Sequence, residues 1–241
     1  MKRIVILLLS LVFAYGADPC LKVAQDLWKL QNSIIEHAFL GLAKGTWARY
    51  DDGSTMVYVG QDTIEGQKLY GAEWHYRDLV MQMWYRIITR NKVYAGKKYP
   101  FRLLDPQYVY IFQDSTVIRL NAAQMRMMGS QWSHILSWGF LEDTPPDCTH
   151  NQVVTVKKER RTIGDKSVAV YKVVGNDGGY VMVSDEVPFG YVEAGDSSGV
   201  GTPRLVAFGE KGKIRITHHM RSGAMPVPMM PMMPMPMGGA K

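Results

Sequence analysis

The sequence predicts an α+β fold: an antiparallel β-sheet that curls, covered by a long N-terminal helix and a second helical segment. Three observations carry this expectation. An opening run repeats apolar residues at three- and four-residue steps, most of the remainder alternates apolar and polar residues between tight-turn pairs, and one central stretch returns to the helical period. Turn signals at short, even intervals favour consecutive antiparallel strands over parallel strands joined by crossover helices.

Ahead of the helix stands MKRIVILLLSLVFAYG. Lys2 and Arg3, the apolar run from Ile4 to Ala14 and the small-x-small triplet Ala14-Tyr15-Gly16 have the order of a secretory signal peptide, so residues 1–16 are expected to be removed. The mature protein is then exported, periplasmic or extracellular, and soluble, because the apolar run falls short of the ~20 residues of a membrane span and no later run is longer. Cleavage removes two of the positive charges behind the formal net charge of +6 and leaves a modestly basic domain of about 225 residues, long enough for a sizeable core. Basic clusters such as Lys97-Lys98 and Lys157-Lys158-Glu159-Arg160-Arg161 read as solvated strand ends, since interleaved acids dilute any steering field; no nucleic-acid partner is expected.

Two cysteines in an exported chain suit one disulfide, Cys20 to Cys148, with two unpaired thiols as the competing state. Such a bridge would close a very long loop, worth ~4–5 kcal/mol in the chain-entropy account. A lipid anchor on Cys20 is disfavoured by the preceding Ala17-Asp18-Pro19, and the absence of C-x-x-C argues against thiol exchange and cysteine zinc sites.

The mature chain opens with Leu21, Ala24, Leu27, Trp28, Ile34, Ile35, Ala38, Phe39 and Leu42 on one helical face. Asp18 is placed as cap, Pro19 suits the first turn, and Gly45 after Lys44 is the stop signal. The stripe is wide, so the helix needs a large surface to lie on. That surface follows from Thr46 onwards, with turns at Asp52-Gly53 and Glu65-Gly66. From Leu79 the alternation sets Leu79, Met81, Met83, Tyr85 and Ile87 on one face and Val80, Gln82, Trp84, Arg86 and Ile88 on the other. Residues 108–120 read as two more strands joined at Gln113-Asp114. Met125, Met128, Trp132, Ile135, Leu136 and Gly139 then return to the helical period until Pro145-Pro146 break the chain. Strands resume with turns at Gly164-Asp165 and at 176–179, and the expected domain ends near residue 221, ahead of a disordered Met/Pro-rich tail, 222–241.

The stretch YVMVSDEVPFGYVEA (180–194), followed by LVAFGEKGKI from Leu205, resembles the closing strands of secreted proteins with the LolA/LolB-like lipoprotein-carrier fold: a strand ending in x-S-D, a V-P-F-G corner and a last hairpin. The resemblance implies an open, strongly curved antiparallel half-barrel covered by helices, with an apolar cavity between them that accepts acyl chains. The carriers' ligand-handling residues have no positional match in this sequence.

Reactive constellations are scarce. Gly195-Asp196-Ser197-Ser198-Gly199 fits G-x-S-x-G, but a nucleophile elbow needs a helix directly after it, and Val200-Gly201-Thr202-Pro203 does not start one. His37, His75, His134, His150, His218 and His219 include no H-x-x-x-H pair, and the acidic pairs sit in turns. The sequence therefore points to a non-enzymatic binding protein. Trp84, Phe101, Met125, Met128 and Trp132 are the candidates to line an apolar cavity, methionine being adaptable to greasy ligands, with ordinary core as the plain alternative. The ligand class is lipid or a lipid-modified partner.

The terminal MPVPMMPMMPMPMGGAK has Pro228, Pro231 and Pro234 at the three-residue period of polyproline II. Met229, Met232 and Met235 then share one edge, with Met230 and Met233 on another. Thioethers are soft donors suited to copper(I) in an oxidising compartment, and His218, His219 and Met220 would add to the set. The competing uses are a sticky tail contacting a partner or membrane surface, and an oxidant sink.

Overall fold

The computed structural model describes residues 19–94, 96–127, 155–175, 177–198 and 201–226. Helix α1 (Pro19–Ile35) runs into one π-helical turn (Glu36–Leu40) and stops at Gly41, whose N–H donates to the Glu36 carbonyl at 2.9 Å. The stop comes earlier than the Lys44-Gly45 signal because the wider turn spends its last carbonyls on Gly41 and Leu42. The same turn sends Phe39 into the core, where its ring meets Tyr58, Tyr85 and Phe189 edge-on at 5.4, 5.9 and 6.4 Å.

The strands are β1 (Trp47–Tyr50), β2 (Thr55–Ile64), β3 (Gln67–Tyr76), β4 (Leu79–Tyr94), β5 (Lys97–Gln113), β6 (Thr116–Asn121), β7 (Thr155–Ile163), β8 (Lys166–Val174), β9 (Tyr180–Val183), β10 (Tyr191–Gly195), β11 (Leu205–Gly209) and β12 (Met225–Pro226). Helix α2 (Ala122–Met127) follows β6, and α3 (His218–Ser222) precedes β12. They form an open eight-stranded sheet ordered β11-β1-β2-β3-β4-β5-β6-β12 and a four-stranded sheet ordered β10-β9-β8-β7. Among the described residues pairing is antiparallel except for β12, which lies parallel to β6.

Turn chemistry sets the registers. Glu65-Gly66 (φ 51° and 76°) and Asp114-Ser115 (φ 50° and 66°) have the two positive φ values of a primed hairpin loop. The second loop sits one residue beyond the Gln113-Asp114 expected from sequence. Along β4 the alternation keeps Met81, Met83 and Tyr85 on the face toward the four-stranded sheet and Val80 and Trp84 on the other. Opposite them β5 accommodates Gln107 as a bulge between the pairs Trp84–Tyr108 and Tyr85–Pro106. A bulge tolerates Pro106, which has no N–H for the ladder. Both strands continue well beyond the sequence expectation, to the pair Tyr94–Lys97.

The two sheets share a core of Tyr50, Met83, Val109, Val170, Met182 and neighbours, filled from the helical side by Ile35 and Phe39. Helix α1 and the turn after it lie on both sheets: Leu27, Leu30, Ile34 and Ala38 meet Val173 and Val183 of the smaller one, while Ala24 and Trp28 meet Phe101 and Leu103 of β5. Each buried leucine or isoleucine among them contributes ~1.5–3 kcal/mol, so the wide stripe fixes the helix in place. The outer face of the larger sheet is covered differently. Residues 210–217, expected as the second strand of a closing hairpin, form an irregular strap that lays Ile214 and Ile216 on Val59, Val80 and Trp84. Residues 222–226, assigned by sequence to the tail, complete α3 and form β12. Among the described residues no helix is long and apolar enough to cross a membrane.

Candidate functional site

A wide opening lies between α1 and the four-stranded sheet. Helical spacing aligns Lys22, Asp26, Lys29 and Ser33 along one edge of α1, with Val23 and Leu30 beside them. On the sheet, Lys158 pairs with Tyr171 across β7 and β8, and Val156, two residues earlier, shares their face. These residues enclose an open groove of about 630 Å³, completed at one end by Asp185. Its floor is Val23, Leu30, Val156 and Tyr171; its rim carries the lysines and both aspartates. The Lys158 ammonium lies 5.1 Å over the Tyr171 ring. Its hydrogen bond to the Tyr171 hydroxyl, with Asp185 and Glu186 nearby, holds its pKa above the ordinary lysine value. The volume is that of sites that enclose a small organic molecule.

The corner Ser184–Gly190 pins the helix above this groove. Ser33 donates its hydroxyl to the Asp185 carboxylate at 2.5 Å, and the Phe189 N–H donates to the Ala38 carbonyl at 2.6 Å. Glu186 accepts from the Ala169 N–H at 3.0 Å, tying the corner to β8 as well. Phe189 and Gly190 both have positive φ (67° and 76°), and a Cβ on Gly190 would stand 2.3 Å from Ile34 Cγ2. Only glycine fits there. The S-D-E-V-P-F-G string therefore has a local physical role: it turns the chain from β9 to β10 tightly against α1.

Three of the residues expected to line a cavity are described, and they fall into three separate clusters. Trp84 faces outward, under the strap, with its Nε1 donating to Gln82 Oε1 at 2.9 Å and the Arg221 guanidinium 4.4 Å over its ring. Phe101 is fully buried beneath α1 against Ala24, Trp28 and Leu103. Met125 belongs to the core between the sheets. None of these three lines the groove; Met128 and Trp132 lie outside the described residues. Their separation has a simple cause. Alternation assigns residues to faces, but which face a distant helix covers depends on the connectivity of both sheets. Val156 and Tyr171 were legible as strand residues, and Lys22, Asp26 and Lys29 as one helix edge, but no local signal joins them. Among the described residues, Trp28 Nε1 and the Tyr50 hydroxyl are buried without a hydrogen-bond partner, and burial drives the Tyr50 phenol far above its ordinary pKa.

A second arrangement holds the strap. The fully buried Glu73 carboxylate on β3 accepts from His75 Nε2 (2.6 Å), Gln82 Nε2 (2.8 Å), Arg215 N–H (2.6 Å) and Ile216 N–H (2.9 Å). Gln82 also donates to the Ile216 carbonyl at 2.8 Å and accepts from Arg221 Nη1 at 2.9 Å, while Arg221 Nη2 bonds Asp62. The strap's backbone thus pairs with side chains of the sheet instead of with a strand, which is why no hairpin forms. The network delivers the chain to β12, where Met225 stands opposite Ile118 at the sheet edge. His218 and His219 are exposed on α3, Thr217 caps it by accepting the Met220 N–H, and Met220 packs partly against the strap cluster. Among the described residues no group of three or more His, Cys, Asp or Glu stands close enough to hold a metal ion. Met229, Met230, Met232, Met233 and Met235 lie outside those residues, as does Cys148, the expected partner of Cys20. Ser197 lies in an exposed turn, where Asp196 accepts from the Ser198 hydroxyl.

Compared with known protein families, curated proteins and solved structures, the chain finds no match.

Proposed function

We propose that this chain is an exported, non-enzymatic binding protein that holds an apolar ligand, a lipid or the acyl group of a lipid-modified partner, in the groove between α1 and the four-stranded sheet. The observation that carries the reading is the groove itself: an apolar floor of Val23, Leu30, Val156 and Tyr171 under a charged rim, about 630 Å³ in volume. Shape and burial supply the affinity; covering apolar surface contributes ~25 cal/mol per Å² removed from water. A helix over open antiparallel sheets, with the S-D-E-V-P-F-G corner beneath it, supports a LolA/LolB-like half-barrel architecture for the whole domain. The test is titration of the mature protein with a naturally fluorescent polyene fatty acid. Saturable one-site binding is expected, weakened about tenfold or more when Val23→Trp and Val156→Trp fill the floor; no saturable binding, or equal binding by the filled variant, removes the reading.

A second reading concerns the tail. The root of the Met/Pro segment is held at β12, three residues past a helix that exposes His218 and His219. That proximity favours copper(I) handling by these imidazoles together with Met220 and the tail methionines. Under this reading the tail is a delivery arm and the groove an independent site.

A further inference from the structure

The outer face of the eight-stranded sheet carries another opening, and we propose that it is a binding site for a phosphate group. Cross-strand register builds one wall: Arg49 on β1 stands opposite Thr55 on β2, and Thr55 opposite His75 on β3. Their neighbours Ala48, Met56 and Trp74 point into the core, so these three point away from it. The strap crosses the same strands and brings Lys213 and Arg215 to the other side. The cleft between them holds about 290 Å³, with Trp47 as its aromatic wall.

Charge decides what the cleft fits. Three permanent cations line it and no carboxylate does. Five arginines elsewhere are compensated: Arg86 pairs with Asp105, Arg102 with Glu36, Arg119 with Glu65, Arg204 with Asp51 and Arg221 with Asp62. Among the described residues Arg49, Lys213 and Arg215 make no ion pair; Arg49 has only the Trp47 ring, 5.9 Å away. The adjacent acid, Glu73, is fully buried with both oxygens engaged by donors of the strap network. Like charges gathered without a counter-ion repel one another, and a multivalent oxyanion relieves that repulsion while accepting from guanidinium forks in parallel pairs. The Thr55 hydroxyl offers a neutral donor in the same row.

The backbone beneath these cations is fixed in advance. Glu73 holds the Arg215 N–H, and the Gly212 N–H donates to the Gly45 carbonyl at 2.7 Å. The Trp47 indole donates to the Glu210 carbonyl at 3.0 Å, and a Cβ on Gly212 would stand 3.0 Å from Trp47 Cβ, so glycine lets the strap close on the ring. A site held this way loses little freedom when the anion arrives.

The phosphate can belong to a soluble compound or to a lipid head group, and two probes separate these sources. Calorimetry with inorganic pyrophosphate and flotation with phosphatidylglycerol vesicles, against phosphatidylcholine vesicles, are run on the mature protein. Binding to pyrophosphate, or to the anionic vesicles alone, is expected, weakened roughly tenfold or more by Arg49→Gln with Arg215→Gln. Pyrophosphate binding assigns the phosphate group itself, and vesicle binding alone assigns the lipid head group. Lys97→Gln with Lys98→Gln removes the same charge from the far end of β5 and is expected to change binding little. Both altered pairs are exposed, so thermal unfolding close to wild type confirms the fold. Absence of binding to both probes, or equal losses in the two double variants, overturns the proposal.

Discussion

Gly190→Ala tests the corner that holds α1 over the groove. The native φ of 76° is left-handed, costing a residue with a Cβ about 1–2 kcal/mol. The new methyl would also stand 2.3 Å from Ile34 Cγ2, a buried atom on a pinned helix, and overpacking of that kind costs a further ~1–3 kcal/mol. The expected loss is about 2–5 kcal/mol, a large part of the ~5–15 kcal/mol that holds a typical domain together. Urea unfolding of the chain from residue 17 measures it. Ile34→Ala alone is also destabilising, by ~2–5 kcal/mol, but it removes the obstructing atom. The double variant should therefore be more stable than the sum of the single losses by the overpacking part, about 1–3 kcal/mol. A Gly190→Ala loss below ~1 kcal/mol, or strict additivity with Ile34→Ala, would refute the contact.

Glu73→Ala leaves the Arg215 and Ile216 N–H groups without their acceptor, at a cost of about 1–3 kcal/mol each, and should expose the strap to proteolysis before the rest of the domain; cleavage at an unchanged rate would contradict the anchoring role. Burial pushes the Tyr58 and Tyr108 phenols up to about 12, with Glu65 adding to the effect at Tyr108. The native state then holds these protons more tightly than the unfolded chain, so stability is level below pH ~10 and falls as pH rises toward about 12. Tyr58→Phe with Tyr108→Phe should flatten that fall in alkaline unfolding curves, and an unchanged slope would speak against it. For the tail, copper(I) titration of the chain from residue 17 to its end and of one stopping at Pro226 should differ, because the shorter chain keeps His218, His219 and Met220 but loses Met229 to Met235; equal stoichiometry and affinity would remove the tail from the metal reading.

Much of the secondary structure was legible where local chemistry decides it. The Glu65-Gly66 loop, the β4 alternation, the strands around Gly164-Asp165 and the opening helix all follow from spacing and turn residues. The far half of the β4–β5 hairpin was not, because Pro100, Pro106 and the lysines around Gly96 mask a pairing that a bulge and an edge position tolerate. The strap was misread as a strand since the acceptor for its backbone, Glu73, lies over a hundred residues away in sequence. The groove depends on similar long-range juxtapositions: Val23 and Leu30 meet Val156 and Tyr171 only once α1 is pinned by Ser33 and Ile34 to the corner at 184–190. Trp84 looked like a cavity residue by composition, yet its row partner on β4, Gln82, belongs to the strap network, and that network claims its indole.

Native mass spectrometry of the protein purified from its natural host reports most directly whether the space beneath α1 carries a guest. The wild-type chain is expected to hold an adduct of lipid mass that organic extraction removes and that the Val23→Trp, Val156→Trp variant never acquires. A bare-chain mass before and after extraction, or an adduct that persists in the filled variant, would contradict the account.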